Sequence, residues 1–112
     1  MAGQRMAHSP PWSGVVVRIS GEVDCSTVPA MAAALDRARR DGTGNLLVDL
    51  SETTFMDGAG LTVLLRARGQ WNGNLAVYRP PRSLQRILQA LDMQDAFTVV
   101  DPAEPMFGRL GG

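Results

Sequence analysis

The chain has 112 residues, 45% of them hydrophobic, with eleven basic against eleven acidic side chains and no net formal charge. That length suits one domain with its own core, and the even charge argues against an electrostatic grip on nucleic acid. All eleven basic residues are arginine, so there is no Walker-A loop, no Schiff-base enzyme and no lysine general base. Cys25 is the only cysteine, which rules out an internal disulfide and fits a reducing, cytoplasmic setting. No run of roughly 18 apolar residues is present to cross a membrane, and the N-terminus lacks the apolar core of a secretory signal.

Residues 1–14, rich in Pro, Ser and Gly, read as a flexible lead-in or a degenerate edge strand. The β-branched run VVVRIS, Val15 to Ser20, predicts a strand that stops at Gly21. GEVDCSTVP then reads as a loop, with Ser26 or Thr27 as helix N-cap and Pro29 in the first turn. A first helix, Pro29 to Arg40, follows. Val28, Met31, Ala32 and Leu35 keep the i, i+3, i+4, i+7 spacing of its inner face. Arg37, Arg39 and Arg40 suit the negative end of its dipole.

LLVDL, Leu46 to Leu50, predicts a second buried strand, and SETTFMD after it a loop. The second helix runs from Gly58 to Trp71, with Leu61, Leu64, Leu65 and Trp71 inward. LAVYR, Leu75 to Arg79, is a third strand. PPRS opens a third helix with Leu84, Ile87, Leu88 and Leu91 inward. FTVV, Phe97 to Val100, reads as a last strand. Residues 15–112 thus make one α/β domain, whose alternation of strand and helix predicts a mainly parallel sheet with right-handed crossovers.

In an open parallel sheet, sites gather at the carboxyl ends of the strands. The loops after the first two strands bring Glu22, Asp24, Glu52 and Asp57 to one end, with Thr53, Thr54 and Gly58 nearby. DGAG, Asp57 to Gly60, is the hinge into the second helix. Asp57 is its natural N-cap, accepting from the amide of Ala59 or Gly60 for about 1 kcal/mol. Gly58 and Gly60 are poor helix formers. A glycine at 58 points to an unusual backbone angle, to close approach by a partner, or to simple steric room. The amides of GAG offer a place for an anion, which Asp57 opposes by repulsion.

Catalysis finds little support. His8 is the only histidine and lies in the lead-in. Cys25 has no basic neighbour in its loop, and no metal-ligand spacing appears. The chain reads as a non-enzyme without cofactor or metal. An aspartyl-phosphate receiver domain is set aside because that family carries a lysine after its last strand.

GEVD (Gly21 to Asp24) followed by VDLSETTFMDGAGLTVLL (Val48 to Leu65) resembles the STAS domain of anti-sigma-factor antagonists. That family's pattern runs G-E-(L/I/V)-D, a helix, then (V/L)-D-L-x-x-(V/L)-x-F-(I/M)-D-S-(S/A)-G-L-x-x-L. The match continues through RSLQRILQALDMQDAF and spans about Val15 to Val100. The resemblance implies a single STAS-like domain with a mixed, mostly parallel sheet of four to five strands, the first antiparallel at an edge.

The resemblance also implies partner switching in transcription regulation. The unphosphorylated antagonist binds an anti-sigma factor that is also a serine kinase, and the sigma factor is released. The kinase phosphorylates the first serine of D-S-x-G, the phospho-form lets go, and a phosphatase resets it. Phosphate adds about −1.5 to −2 charge to the docking surface and so changes affinity without refolding the domain. By position, Asp24 and Asp57 match the family's acidic residues near the kinase-facing surface. The expected partner-binding residues are Glu22, Asp24, Thr53, Thr54, Asp57, Gly58, Ala59 and Gly60. Arg66 and Arg68, further along the second helix, are candidates for its border. No nucleic acid, cofactor or membrane insertion is implied.

At the phosphoacceptor position stands Gly58, followed by Ala59, and neither has a hydroxyl. Three readings follow. The domain is an antagonist that cannot be switched at residue 58. It is a diverged module serving another complex, such as a lipid-transport ATPase or a sensory assembly. Or a nearby hydroxyl, on Thr53, Thr54, Ser26, Thr27 or Thr62, has taken over as acceptor.

Overall fold

Each of the four apolar runs folds as a strand, and each strand lies beside the next. The computed structural model describes residues 14–42, 44–71 and 73–100. In chain order these form β1 (Gly14–Val23), α1 (Val28–Asp41), β2 (Asn45–Met56), α2 (Gly58–Gln70), β3 (Leu75–Tyr78), α3 (Arg82–Ala90) and β4 (Thr98–Val100). The sheet order is β1-β2-β3-β4, and every described pair is parallel. The antiparallel edge strand that the resemblance implies falls in residues 1–13, outside the described residues.

With this order, right-handed crossovers put every connecting helix on one face of the sheet. One core accordingly joins Leu35 of α1, Leu64 of α2 and Leu84 of α3 to Val48, Leu50 and Val77 of the strands. Val48 and Leu64 are wholly enclosed, and burying such a side chain is worth about 1.5–3 kcal/mol. The opposite face carries a smaller cluster of Leu47, Ala76 and Val100 with Tyr78 beside it.

β1 and β2 run further than the pattern predicted. GEV continues β1, and SETTFM continues β2 rather than forming a loop. The alternation that marks a strand breaks there because the ladder carries two irregularities, between Arg18 and Ser20 and between Gly21 and Glu22. At the first, β2 holds an extra residue and its phase inverts, which turns Thr53 inward. Its hydroxyl donates to the Ile19 carbonyl at 2.7 Å. At the second, the phase returns. Met56 then joins Val23 in the core, and Phe55 faces out, 43% exposed. Gly21 stands at that second step with φ +81°, a left-handed conformation that favours glycine.

The helix ends also depart from the expected bounds. α2 closes at Gln70, and Trp71 is its C-cap, with the indole Nε1 donating to the Gly44 carbonyl at 2.8 Å. α3 ends at Ala90, so Leu91 does not complete the inner face and is 56% exposed. The cause is a Schellman closure. Met93 N–H donates to the Leu88 carbonyl (2.7 Å) and Asp92 N–H to that of Gln89 (3.1 Å), with Asp92 at φ +56°. Met93 then packs against the core in the place Leu91 was expected to take.

Candidate functional site

β1 and β2 stay paired to their carboxyl ends. Val23 is in register with Met56, and the Asp57 N–H donates to the Val23 carbonyl at 3.1 Å. The residues that follow, Asp24 and Asp57, therefore leave the sheet side by side. Each turns into a helix, so the N-termini of α1 and α2 meet at this edge.

Asp57 caps α2 as expected. Its backbone is extended and its Oδ1 accepts the Ala59 N–H at 2.9 Å. The start of α1 is built differently. Thr27 is the N-cap residue but makes no side-chain cap, and neither does Ser26. Both hydroxyls turn back instead. Ser26 Oγ donates to Asp24 Oδ1 at 2.7 Å, and Thr27 Oγ1 donates to the Glu22 carbonyl at 2.8 Å. Asp24 Oδ1 also accepts the Ser26 and Thr27 amides, at 2.9 and 3.1 Å. The Ser26 hydroxyl and then its amide hold the Asp24 carboxyl below the usual carboxylate range.

Gly58 is exposed, and a Cβ built on it would meet nothing within 4 Å. Its φ is not in the left-handed region. The backbone angle therefore does not explain the glycine, and the open space around it fits both steric room and close approach by a partner. Gly60 is the opposite case. It is buried, and a Cβ there would run into Met56 Cγ and lie 2.8 Å from Met56 Sδ and 3.1 Å from Val23 Cγ1.

Two of the expected surface positions are thus interior. Gly60 is a packing contact between α2 and the strand ends, and Thr53 is only 6% exposed with its hydroxyl spent on Ile19. Thr53 is equally withdrawn as a substitute phosphoacceptor. Glu22, Thr54, Asp57, Gly58 and Ala59 remain at least partly accessible, as does Asp24. Among the other hydroxyls, Ser26, Thr27 and Thr62 are exposed, with Thr62 Oγ1 donating to the Gly58 carbonyl at 2.9 Å.

Arg66 and Arg68 do not border this edge. Eight and ten residues along an α-helix they stand about 12 and 15 Å from residue 58. Arg68 stacks over the Phe97 ring, 5.6 Å to its centroid, and donates to the Ala96 carbonyl. Glu52 faces back along the sheet, accepting from Ser20 Oγ at 3.2 Å and lying 3.8 Å from Arg18.

The pattern reading missed Phe55, whose exposure follows from the second bulge, and Ser83. Ser83 Oγ accepts the Met56 N–H at 2.9 Å and so ties the start of α3 to the end of β2. Where the β2–β3–β4 ladders end lies a cavity of about 760 Å³ lined by Leu50, Thr53, Arg79, Gln85, Leu88 and Val100 among others. Among the described residues no three His, Cys, Asp or Glu side chains gather to hold a metal ion. No helix among them is long and apolar enough to cross a membrane.

This edge offers fixed backbone, the carboxylates of Glu22, Asp24 and Asp57, and one exposed aromatic ring. The family model described as "Mlab, STAS domain" matches residues 9–101. The chain is 29% identical over 91 residues to the anti-sigma-B factor antagonist of Staphylococcus aureus (strain NCTC 8325 / PS 47), covering 79% of this chain and 84% of that one. The Staphylococcus epidermidis anti-sigma-B factor antagonist matches over the same span at the same identity. Among solved structures, the unphosphorylated form of the anti-sigma factor antagonist SpoIIAA superposes with a TM-score of 0.65 at 19% identity, over 87% of this chain and 88% of that one. By sequence model and by fold, the chain belongs to the STAS domain family, alongside the anti-sigma-factor antagonists.

Proposed function

We propose that this protein is an anti-sigma-factor antagonist that binds an anti-sigma factor/serine kinase in a partner-switching pathway, so releasing a sigma factor, and that it cannot be switched at residue 58. The observation that carries this reading is the DGAG hinge. The cap at Asp57 is intact, the surface around it is open, and the single group absent is a hydroxyl at Gly58. The relatives named anti-sigma-B factor antagonists support the partner class. Docking uses the exposed part of the edge, namely Glu22, Asp24, Thr54, Asp57, Gly58 and Ala59.

Incubation with the cognate kinase and ATP, read by intact mass, tests both halves. Binding without a gain of about 80 Da, the mass of one phosphoryl group, is expected. A gain on the wild-type chain overturns the unswitchable reading and points to Ser26, Thr27, Thr54 or Thr62. Gly58→Ser should acquire the phosphoryl group, because the site has room for the side chain.

The family model's description, which names Mlab, favours a second reading. In it the domain is an interaction module serving another complex, such as a lipid-transport ATPase or a sensory assembly. Failure of every anti-sigma kinase of the organism to bind the wild-type chain would favour that reading.

A further inference from the structure

We infer that Phe55 and Glu22 form a receptor for an arginine side chain of the partner protein, extending the docking surface from the helix starts over the rim of β1 and β2. Glu22 and Phe55 are register partners on adjacent strands. Both are exposed, Phe55 by 43%. The ring faces water because of a specific backbone device. The second irregularity in the β1–β2 ladder restores the phase of β2 just before it, and a regular continuation from Thr53 would have turned Phe55 inward and Met56 out. A bulge that re-aims one side chain next to a site is what such devices commonly do.

The electrostatics name the occupant. Glu22, Asp24 and Asp57 share this end of the sheet, while Glu52 turns back towards Arg18. Arg18 is the only arginine on the two strands, and it is taken by Asp49 at 3.1 Å and Glu52 at 3.8 Å. Among the described residues no cation pairs with Glu22, the register partner of the exposed ring. Such a carboxylate beside a ring face attracts a cation, and a guanidinium can stack on the ring while donating to the carboxylate. Among the described residues a guanidinium already lies over a ring in this way, Arg68 over Phe97, there donating to the adjacent backbone carbonyl. An ammonium would reach the carboxylate as a point charge without the stacked plane.

The partner's identity rests on the reading above, whereas the arginine preference does not, and two measurements separate them. In amide NMR titrations, an oligo-arginine peptide of roughly five residues should shift Glu22, Thr54 and Phe55 at least threefold more than an oligo-lysine peptide of equal length. Phe55→Leu should remove that difference. Equal shifts from the two peptides, or shifts that persist in Phe55→Leu, overturn the inference. With the cognate anti-sigma kinase, Phe55→Ala should weaken binding at least tenfold, as central aromatic anchors do, and Glu22→Gln should weaken it less. Kinase binding that is unchanged in Phe55→Ala overturns the inference and leaves the antagonist reading standing. Arginine selectivity at Phe55 with no kinase bound to the wild-type chain does the reverse.

Discussion

Arg18 and Asp49 face each other across the β1–β2 ladder, with Arg18 Nε 3.1 Å from Asp49 Oδ2. The arginine side chain is 59% exposed and the aspartate only 8%. Burial alone would push the Asp49 carboxyl up. The Ser51 hydroxyl and amide and the Arg18 guanidinium outweigh it and hold the carboxyl below the usual range.

That balance sets a pH dependence. The folded-state pKa lies below the unfolded value of about 3.9, so the stabilisation is complete above that value. It is lost as pH falls below about 4 and through the folded pKa. Arg18→Met, which keeps the stem and removes the charge, should cost about 1–2 kcal/mol at neutral pH. It should also move the onset of acid unfolding to higher pH. Urea denaturation between about pH 7 and pH 2 measures both.

The Asp57 cap makes a separable contribution. Asp57→Ala loses the bond to the Ala59 amide and should destabilise the domain by about 1 kcal/mol, whereas Asp57→Ser should retain most of it. Thermal unfolding followed by circular dichroism distinguishes the two.

The two glycines of the hinge should respond in opposite directions to the same change. Gly58→Ala enters open space at the start of a helix and should raise stability by about 0.5 kcal/mol. Gly60→Ala meets Met56 and should lower it by about 1–3 kcal/mol. If both variants proved neutral in urea, the packing assigned to Gly60 would be wrong.

At the end of α3, Asp92→Gly places the residue suited to a left-handed backbone at the Schellman position. It should stabilise the fold by about 0.5–1 kcal/mol. For a domain of this size that is a rise in Tm of several degrees, on the order of 4 °C.

The sequence pattern reached the element order, the parallel sheet and the Asp57 cap because each has a local cause. Leu46 and Val48 lie in one short apolar run, and the acid of DGAG precedes a helix. It failed where the cause is non-local. Thr53 and Phe55 look alike as members of a polar loop, and only the ladder with β1 decides that one goes in and the other out. Ser26 and Thr27 have the chemistry of N-caps, yet the Ser26 hydroxyl goes back to the Asp24 carboxylate and that of Thr27 to the Glu22 carbonyl. Leu91 keeps helical spacing but lies beyond a chain reversal set at Asp92, a residue with no strong left-handed signature.

The sequential strand order carries a consequence for how the protein is made. The β1–β2 ladder is the longest in the described sheet and the ladders shorten towards β4. Chains emerge from the ribosome N-terminus first. The first two strands can therefore pair once residues 14–56 have emerged, and each later βα unit adds to an edge already standing. The rim that carries Glu22, Asp24 and Phe55 lies wholly within that N-terminal segment, so every strand it needs leaves the ribosome ahead of β3 and β4.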